Sequence, residues 1–196
     1  MAVPRLPLFP AALPSLVAAA LLALGAASGR PAAATSLEQV RQLENLINAS
    51  GTQTVVSSDC PPDHAGYYEN DGHRIDRLVI CRQQVDLGNL QAVWQVMAHE
   101  ATHIMQSCAG SAALPDALMP RLSRELSTLA PEATRLIQAA YSRAEQRLEA
   151  EAFWMELQPP ALVLELFRRT CAAYLQGASP PPRRQPLRLI APAPQR

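Results

Sequence analysis

The chain contains no lysine: all 17 of its basic residues are arginine, and they are matched by 17 acidic residues for a formal net charge of zero over 196 residues. This balance excludes the basic field that nucleic-acid binding requires and the acidic field that draws in a cationic partner. Beside the abundant alanine and proline, the missing lysine reflects a GC-rich coding bias rather than arginine-specific recognition. No two of the four cysteines have CxxC spacing, which argues against thiolate metal sites. No internal repeat is present. The length suits one domain with a real core and is short for two.

What is present begins with "MAVPRLPLFPAALPSLVAAALLALGAASGRPAAATS". One early cation, Arg5, is followed by an apolar run from Leu16 to Ala27 and then by small residues suited to signal-peptidase cleavage after Gly25, Ala27 or Ala34. Residues 1–34 are therefore expected to be a signal peptide. The alternative, an uncleaved anchor helix, is opposed by Pro10 and Pro14 and by a run shorter than the roughly 20 residues needed to span a bilayer. Export places the protein in a secreted or periplasmic compartment, with no stable membrane span once the signal is removed. In such an oxidising compartment Cys60, Cys81, Cys108 and Cys171 are expected to form two disulfides. A hairpin between Cys60 and Cys81 would bring those two together, leaving Cys108 for Cys171.

Residues 35–177 are read as the folded domain. "TSLEQVRQLENLINASG" opens with a capping pattern, Thr35 to Glu38 or Ser36 to Gln39. It carries Leu37, Val40, Leu43 and Ile47 at helical spacing and stops at Gly51. From Thr52 to Gln84, turn residues and the β-rich "RLVICRQ" predict two or three antiparallel strands, the only sheet in the chain. Helices are predicted over Leu90–Cys108, Asp116–Leu129, Pro131–Leu157 and from Pro160 to Gly177. Residues 178–196, rich in proline and arginine, are expected to be a disordered tail. The fold class is α+β, predominantly helical, with a small antiparallel hairpin or sheet before the histidine-bearing helix.

That helix contains "VMAHEATHIMQSC", residues 96–108. His99 and His103, four apart, lie about 40° from each other on one helix face, so both imidazoles reach one ion. Glu100 points aside, which suits a general base acting on a water held by the metal better than it suits a ligand. Trp94, Met97, Ala101, Ile104, Met105 and Cys108 form the apolar face, and the histidines are expected to lie roughly opposite it. A bland reading, two polar residues on an outward face, fits the same pattern. Two of only four histidines fall by chance into HExxH on the order of once in a few hundred such chains, however.

A third ligand must come from elsewhere. The long signature HExxHxxGxxH is excluded, since Gln106 and Ala109 stand at its glycine and third histidine. The stretch "EQRLEAEAFWMEL", residues 145–157, offers Glu149 and Glu151, which point about 160° apart on a helix, so at most one is a ligand. Spacing alone does not choose between them.

"HEATH" followed by "LEAEA" resembles the gluzincin metallopeptidases, and Gln106 matches the HExxHxxQ variant. The likeness covers roughly a third of the chain. It also resembles small exported HExxH proteins of unassigned function in cyanobacteria, which carry a paired-cysteine segment before the histidine helix. The gluzincin resemblance implies a minimal zincin-like domain in which Glu149 is the third Zn²⁺ ligand, opening E-x-x-A, with Ala152 the small residue that lets the two helices approach. Phe153 stands where the family usually carries Asp or Asn to hydrogen-bond a ligand histidine, so that contact must come from elsewhere or be missing. The resemblance also implies a substrate laid along an edge strand beside the active helix, a role for which "RLVICRQ" is one candidate. The other reading of that segment is a hairpin that closes the domain.

The expected function is thus a secreted zinc metallopeptidase acting on a peptide or protein substrate. His99, His103 and Glu149 bind Zn²⁺, and Glu100 moves a proton from water to the leaving amine. Tyr141, His73, Tyr67 and Tyr68 are candidate donors to the developing oxyanion. The alternative is a catalytically inactive zincin-like exported protein with a structural zinc or a binding role. A disulfide-stabilised helical protein without metal is a third possibility.

Overall fold

The structure is a computed structural model that describes residues 35–72, 74–177 and 189–192. The expected signal peptide, His73, and residues 178–188 and 193–196 of the expected tail lie outside the described residues.

The first helix, α1 (Leu37–Ala49), is started by a reciprocal cap: the Ser36 hydroxyl accepts from Gln39 N–H, and the Gln39 side chain accepts from Ser36 N–H at 2.8 Å. Val40, Leu43 and Ile47 are buried as their spacing predicts, whereas Leu37, one turn earlier, is exposed. The chain leaves α1 through Gly51, at φ 92°.

Three strands follow: β1 (Gln53–Ser57), β2 (His64–Asn70) and β3 (Asp76–Cys81). Strands β2 and β3 form an antiparallel hairpin closed by Asp71, whose carboxylate accepts from the N–H groups of Arg74 and Ile75. The expectation of a purely antiparallel sheet is corrected here, because β1 runs parallel to β3. The tail reading is corrected as well: Leu189–Pro192 forms a fourth strand, β4, antiparallel to β2. The sheet order is β1-β3-β2-β4. Strand β3 is therefore interior, with both edges paired. It cannot serve as the substrate edge that "RLVICRQ" was a candidate for.

The helix α2 (Leu90–Ala109) is capped by Asn89, whose side chain accepts from the N–H groups of Gln91 and Ala92, and it ends at Gly110, at φ 69°. It packs against α1, β2, β3 and, further along the chain, α5 (Arg143–Glu156) and α6 (Pro160–Thr170). Because it is surrounded, its apolar stripe does not define an inside and an outside. The bland reading of two polar residues on an outward face is overturned: every residue from Trp94 to Gln106 except Gln95 is buried.

Between α2 and α5 lie a short 3₁₀ turn (Asp116–Leu118), α3 (Met119–Leu129) and α4 (Pro131–Ala140). The single helix predicted over Pro131–Leu157 is broken at Tyr141 and Ser142, both in extended conformation. Ser142 starts a new helix, with Glu145 accepting from its N–H at 3.0 Å. The last turn of helix, α7 (Ala172–Leu175), follows α6.

Both expected disulfides are present. Cys60–Cys81 joins the segment entering β2 to the end of β3, and Cys108–Cys171 joins the end of α2 to the end of α6. Among the described residues no helix is long and apolar enough to cross a membrane.

Candidate metal centre

The site is built by α2 and α5 packed side by side. Ala152 is fully buried, as is Glu149, and both lie on the α5 helix that faces α2. Their approach brings His99, His103 and Glu149 into one cluster whose ligand atoms all lie within 4.8 Å of one another. His99 Nε2 is 3.5 Å from one Glu149 oxygen and His103 Nε2 is 3.6 Å from the other. Atoms bonded tetrahedrally to one ion at about 2.0–2.1 Å lie about 3.3–3.4 Å apart, so these separations suit a shared small cation.

The tautomers follow from the outer partners. His103 Nδ1 meets Gln106 Oε1 at 2.8 Å, and the Gln106 amide nitrogen donates to Leu148 O at 2.9 Å and to Glu151 at 3.2 Å. With the amide so oriented, Nδ1 of His103 carries the proton and Nε2 presents its lone pair to Glu149. On the other side the His99 Nδ1 lies 2.6 Å from the Glu156 carboxylate and carries a proton, which leaves Nε2 as the atom that faces Glu149. The contact that Phe153 cannot make is thus supplied by Glu156, one helical turn further on. Phe153 itself packs edge-on against the His99 ring, centroids 4.7 Å apart. Glu156 stands seven residues, about two helical turns, after Glu149 and so on the same face of α5, a spacing that could have pointed to it as an outer partner.

The structure also separates the two glutamates that spacing left open. Glu151 accepts from Ala113 N–H at 2.8 Å and from Gln106, and it lies 3.5 Å from the Arg147 guanidinium. It is a buried structural anion holding the loop after α2. Glu149, equally buried, has no hydrogen-bond partner of ordinary geometry on either oxygen among the described residues.

Four groups at the centre share that condition. His99 Nε2, His103 Nε2 and both carboxylate oxygens of Glu149 and Glu100 are buried without a hydrogen-bond partner of ordinary geometry among the described residues. Buried polar atoms are almost always satisfied, and such a concentration of unsatisfied imidazole and carboxylate atoms is what a bound cation would correct. Burial, reinforced by the charges of Glu149 and Glu156 against that of His99, pushes the Glu100 pKa up to about 8. The Tyr68 N–H approaches Glu100 and favours its charged form without reaching ordinary hydrogen-bond geometry. Burial lowers the His103 pKa to about 4, against the pull of Glu149. For His99 burial acts in the same direction, but Glu149 and Glu156 outweigh it and hold the pKa well above the usual value.

Of the candidate oxyanion donors, Tyr141 reaches the centre. The break between α4 and α5 sets its side chain beside Glu149 and Glu100; burial, with those carboxylates adding to it, raises its pKa. Tyr67 packs instead with Val79, Cys81 and Cys60 in a separate cluster, and the Tyr68 hydroxyl accepts from the Asn70 amide at 3.0 Å.

No curated protein and no solved structure matches the chain. The segment from residue 46 to residue 172, which holds both disulfides and every residue of the candidate centre, matches one family, and the chain accordingly belongs to the family described as a domain of unknown function, DUF8637.

Proposed function

We propose that the protein is an exported zinc metallopeptidase that hydrolyses peptide bonds in a peptide or protein substrate with Glu100 as general base. The reading is carried by the convergence of His99, His103 and Glu149, whose ligand atoms all lie within 4.8 Å of one another on buried side chains. Two imidazole nitrogens and a carboxylate form a donor set suited to zinc. When bound there, zinc supplies a Lewis acid that acidifies water and polarises a peptide carbonyl.

The remaining work belongs to the chain. His99 and His103 hold the ion through Nε2 with their rings fixed by Glu156 and Gln106. Glu149 contributes the negative charge that two neutral imidazoles lack. Glu100 is not needed to hold the ion, and as the residue next to His99 it is the carboxylate that would accept a proton from water and return it to the leaving amine. Tyr141 is the side chain positioned to donate to the oxyanion. The two disulfides and the signal-like N-terminal sequence support an oxidising compartment.

The complete burial of His99, Glu100, His103 and Glu149 favours a second reading, a closed structural zinc site in an exported binding protein. Glu100→Gln separates the two. The peptidase reading expects the variant to keep its zinc while hydrolysis of an unfolded polypeptide falls by at least about 100-fold. Unchanged turnover contradicts it.

A further inference from the structure

The stretch of β2 that approaches Glu100 is Gly66–Tyr68: a Cβ built on Gly66 would lie 3.7 Å from the Glu100 side chain, and the Tyr68 N–H approaches its carboxylate. One edge of this stretch is occupied by β3. The other edge pairs with β4, with Gly66 opposite Ala191, Tyr67 opposite Ile190 and Tyr68 opposite Leu189. Strand β4 also lies against α2, the helix that carries His99, Glu100 and His103. It comes from beyond the segment shared with the family, which ends at residue 172.

An extended polypeptide that reaches Glu100 by pairing with β2 has to use the backbone groups that β4 now engages. Main-chain pairing of this kind is indifferent to side-chain identity, so the tail and a substrate peptide compete for the same donors and acceptors. Tethered through 178–188, the tail competes at an effective concentration on the order of millimolar, which a free peptide must overcome. We propose that Leu189–Pro192 is a displaceable intramolecular occupant of the peptide-binding edge of β2, so that the full chain holds its own site closed. The proposal rests on the peptidase reading for the meaning of that edge, although the occlusion itself is measurable without hydrolysis.

The test uses the full-length chain carrying Leu189→Pro and Ile190→Pro together. Successive N–H groups of a strand point to opposite edges, so one of two adjacent prolines removes a donor aimed at β2 whatever the register. With far-ultraviolet circular dichroism unchanged, the variant is expected to release zinc to a chelator at least about tenfold faster and to lose hydrogen-exchange protection at those Gly66–Tyr68 amides that face β4. Adding a synthetic peptide of residues 186–196 should restore slow release. Unchanged release and unchanged exchange overturn the proposal. Loss of the fold overturns it too, because the strand is then an integral part of the sheet and not a displaceable occupant. Faster release without hydrolysis in either protein leaves the occlusion intact and removes the peptidase reading. If neither protein binds zinc, the exchange measurement alone decides.

Discussion

At the scale of single residues, the centre depends on which buried acids have partners. Glu151 accepts from Ala113 N–H and the Gln106 amide, whereas Glu149 faces the two imidazole Nε2 atoms and the Tyr141 side chain, although the two stand two positions apart on one helix and are equally buried. Glu156 belongs to the same account, since its carboxylate fixes the ring and tautomer of His99. Replacing it by glutamine removes the charge and keeps the shape, and outer partners of this kind typically change metal affinity 10–100-fold. Zinc titration of Glu156→Gln should therefore show a Kd raised by about 10- to 100-fold; an unchanged Kd would mean that the contact is incidental.

Glu100 makes a second prediction at this scale. In metal-free protein its pKa is raised from 4.5 to about 8, so between these values the folded state keeps a proton that the unfolded state has lost. The stability associated with that proton is complete below about pH 4.5 and is lost as pH rises through about 8. Metal-free parent protein should lose stability relative to Glu100→Gln as pH rises over this window, and bound zinc should flatten the difference. Denaturation curves that run parallel across the window contradict the burial of an unpartnered carboxylate.

At the scale of elements, the close approach of β2 to α2 is the structural requirement of the site. A Cβ on Gly66 would sit 2.5 Å from Val96 Cγ1 and 2.7 Å from the Val79 carbonyl oxygen, the second of which belongs to the backbone of β3 and cannot turn aside. Gly66→Ala should destabilise the fold by about 1–3 kcal/mol, measured by urea denaturation, and should disturb Glu100 by forcing β2 away from α2. A variant of parental stability would show that the strand and helix are not in contact at this point.

Several elements were legible before the structure. The Ser36–Gln39 cap, the α1 periodicity, the start of α2 and the hairpin that joins Cys60 to Cys81 all express local rules. The break at Tyr141 was written in the same code. Ser142 and Glu145 have the spacing of a helix start, but an uninterrupted run of helix formers on both sides concealed it. That break matters, because it brings Tyr141 to the centre.

At the scale of the whole molecule, what the sequence could not convey was relative placement. A helix surrounded on all sides buries more than one face, so the apolar stripe of α2 did not reveal that His99 and His103, opposite it, are buried as well. The interior position of β3 and the arrival of β4 depend on non-local pairing, which leaves no periodic trace in either segment. The choice between Glu149 and Glu151 likewise rested on how α5 meets the loop at Ala113 and Leu114, a contact between distant parts of the chain. By contrast, the HExxH spacing was sufficient to identify His99, Glu100 and His103 as candidates, because it depends only on the pitch of one helix.

The central claim is that one buried cation joins α2 to α5 through His99, His103 and Glu149. The most direct measurement is the zinc-to-protein ratio of the purified, disulfide-bonded protein beside that of Glu149→Ala, with circular dichroism confirming that both are folded. The account predicts about one equivalent in the parent and a large loss in the variant, as expected when one of three protein ligands is removed. Full zinc retention by folded Glu149→Ala, or no zinc in the folded parent, would contradict it.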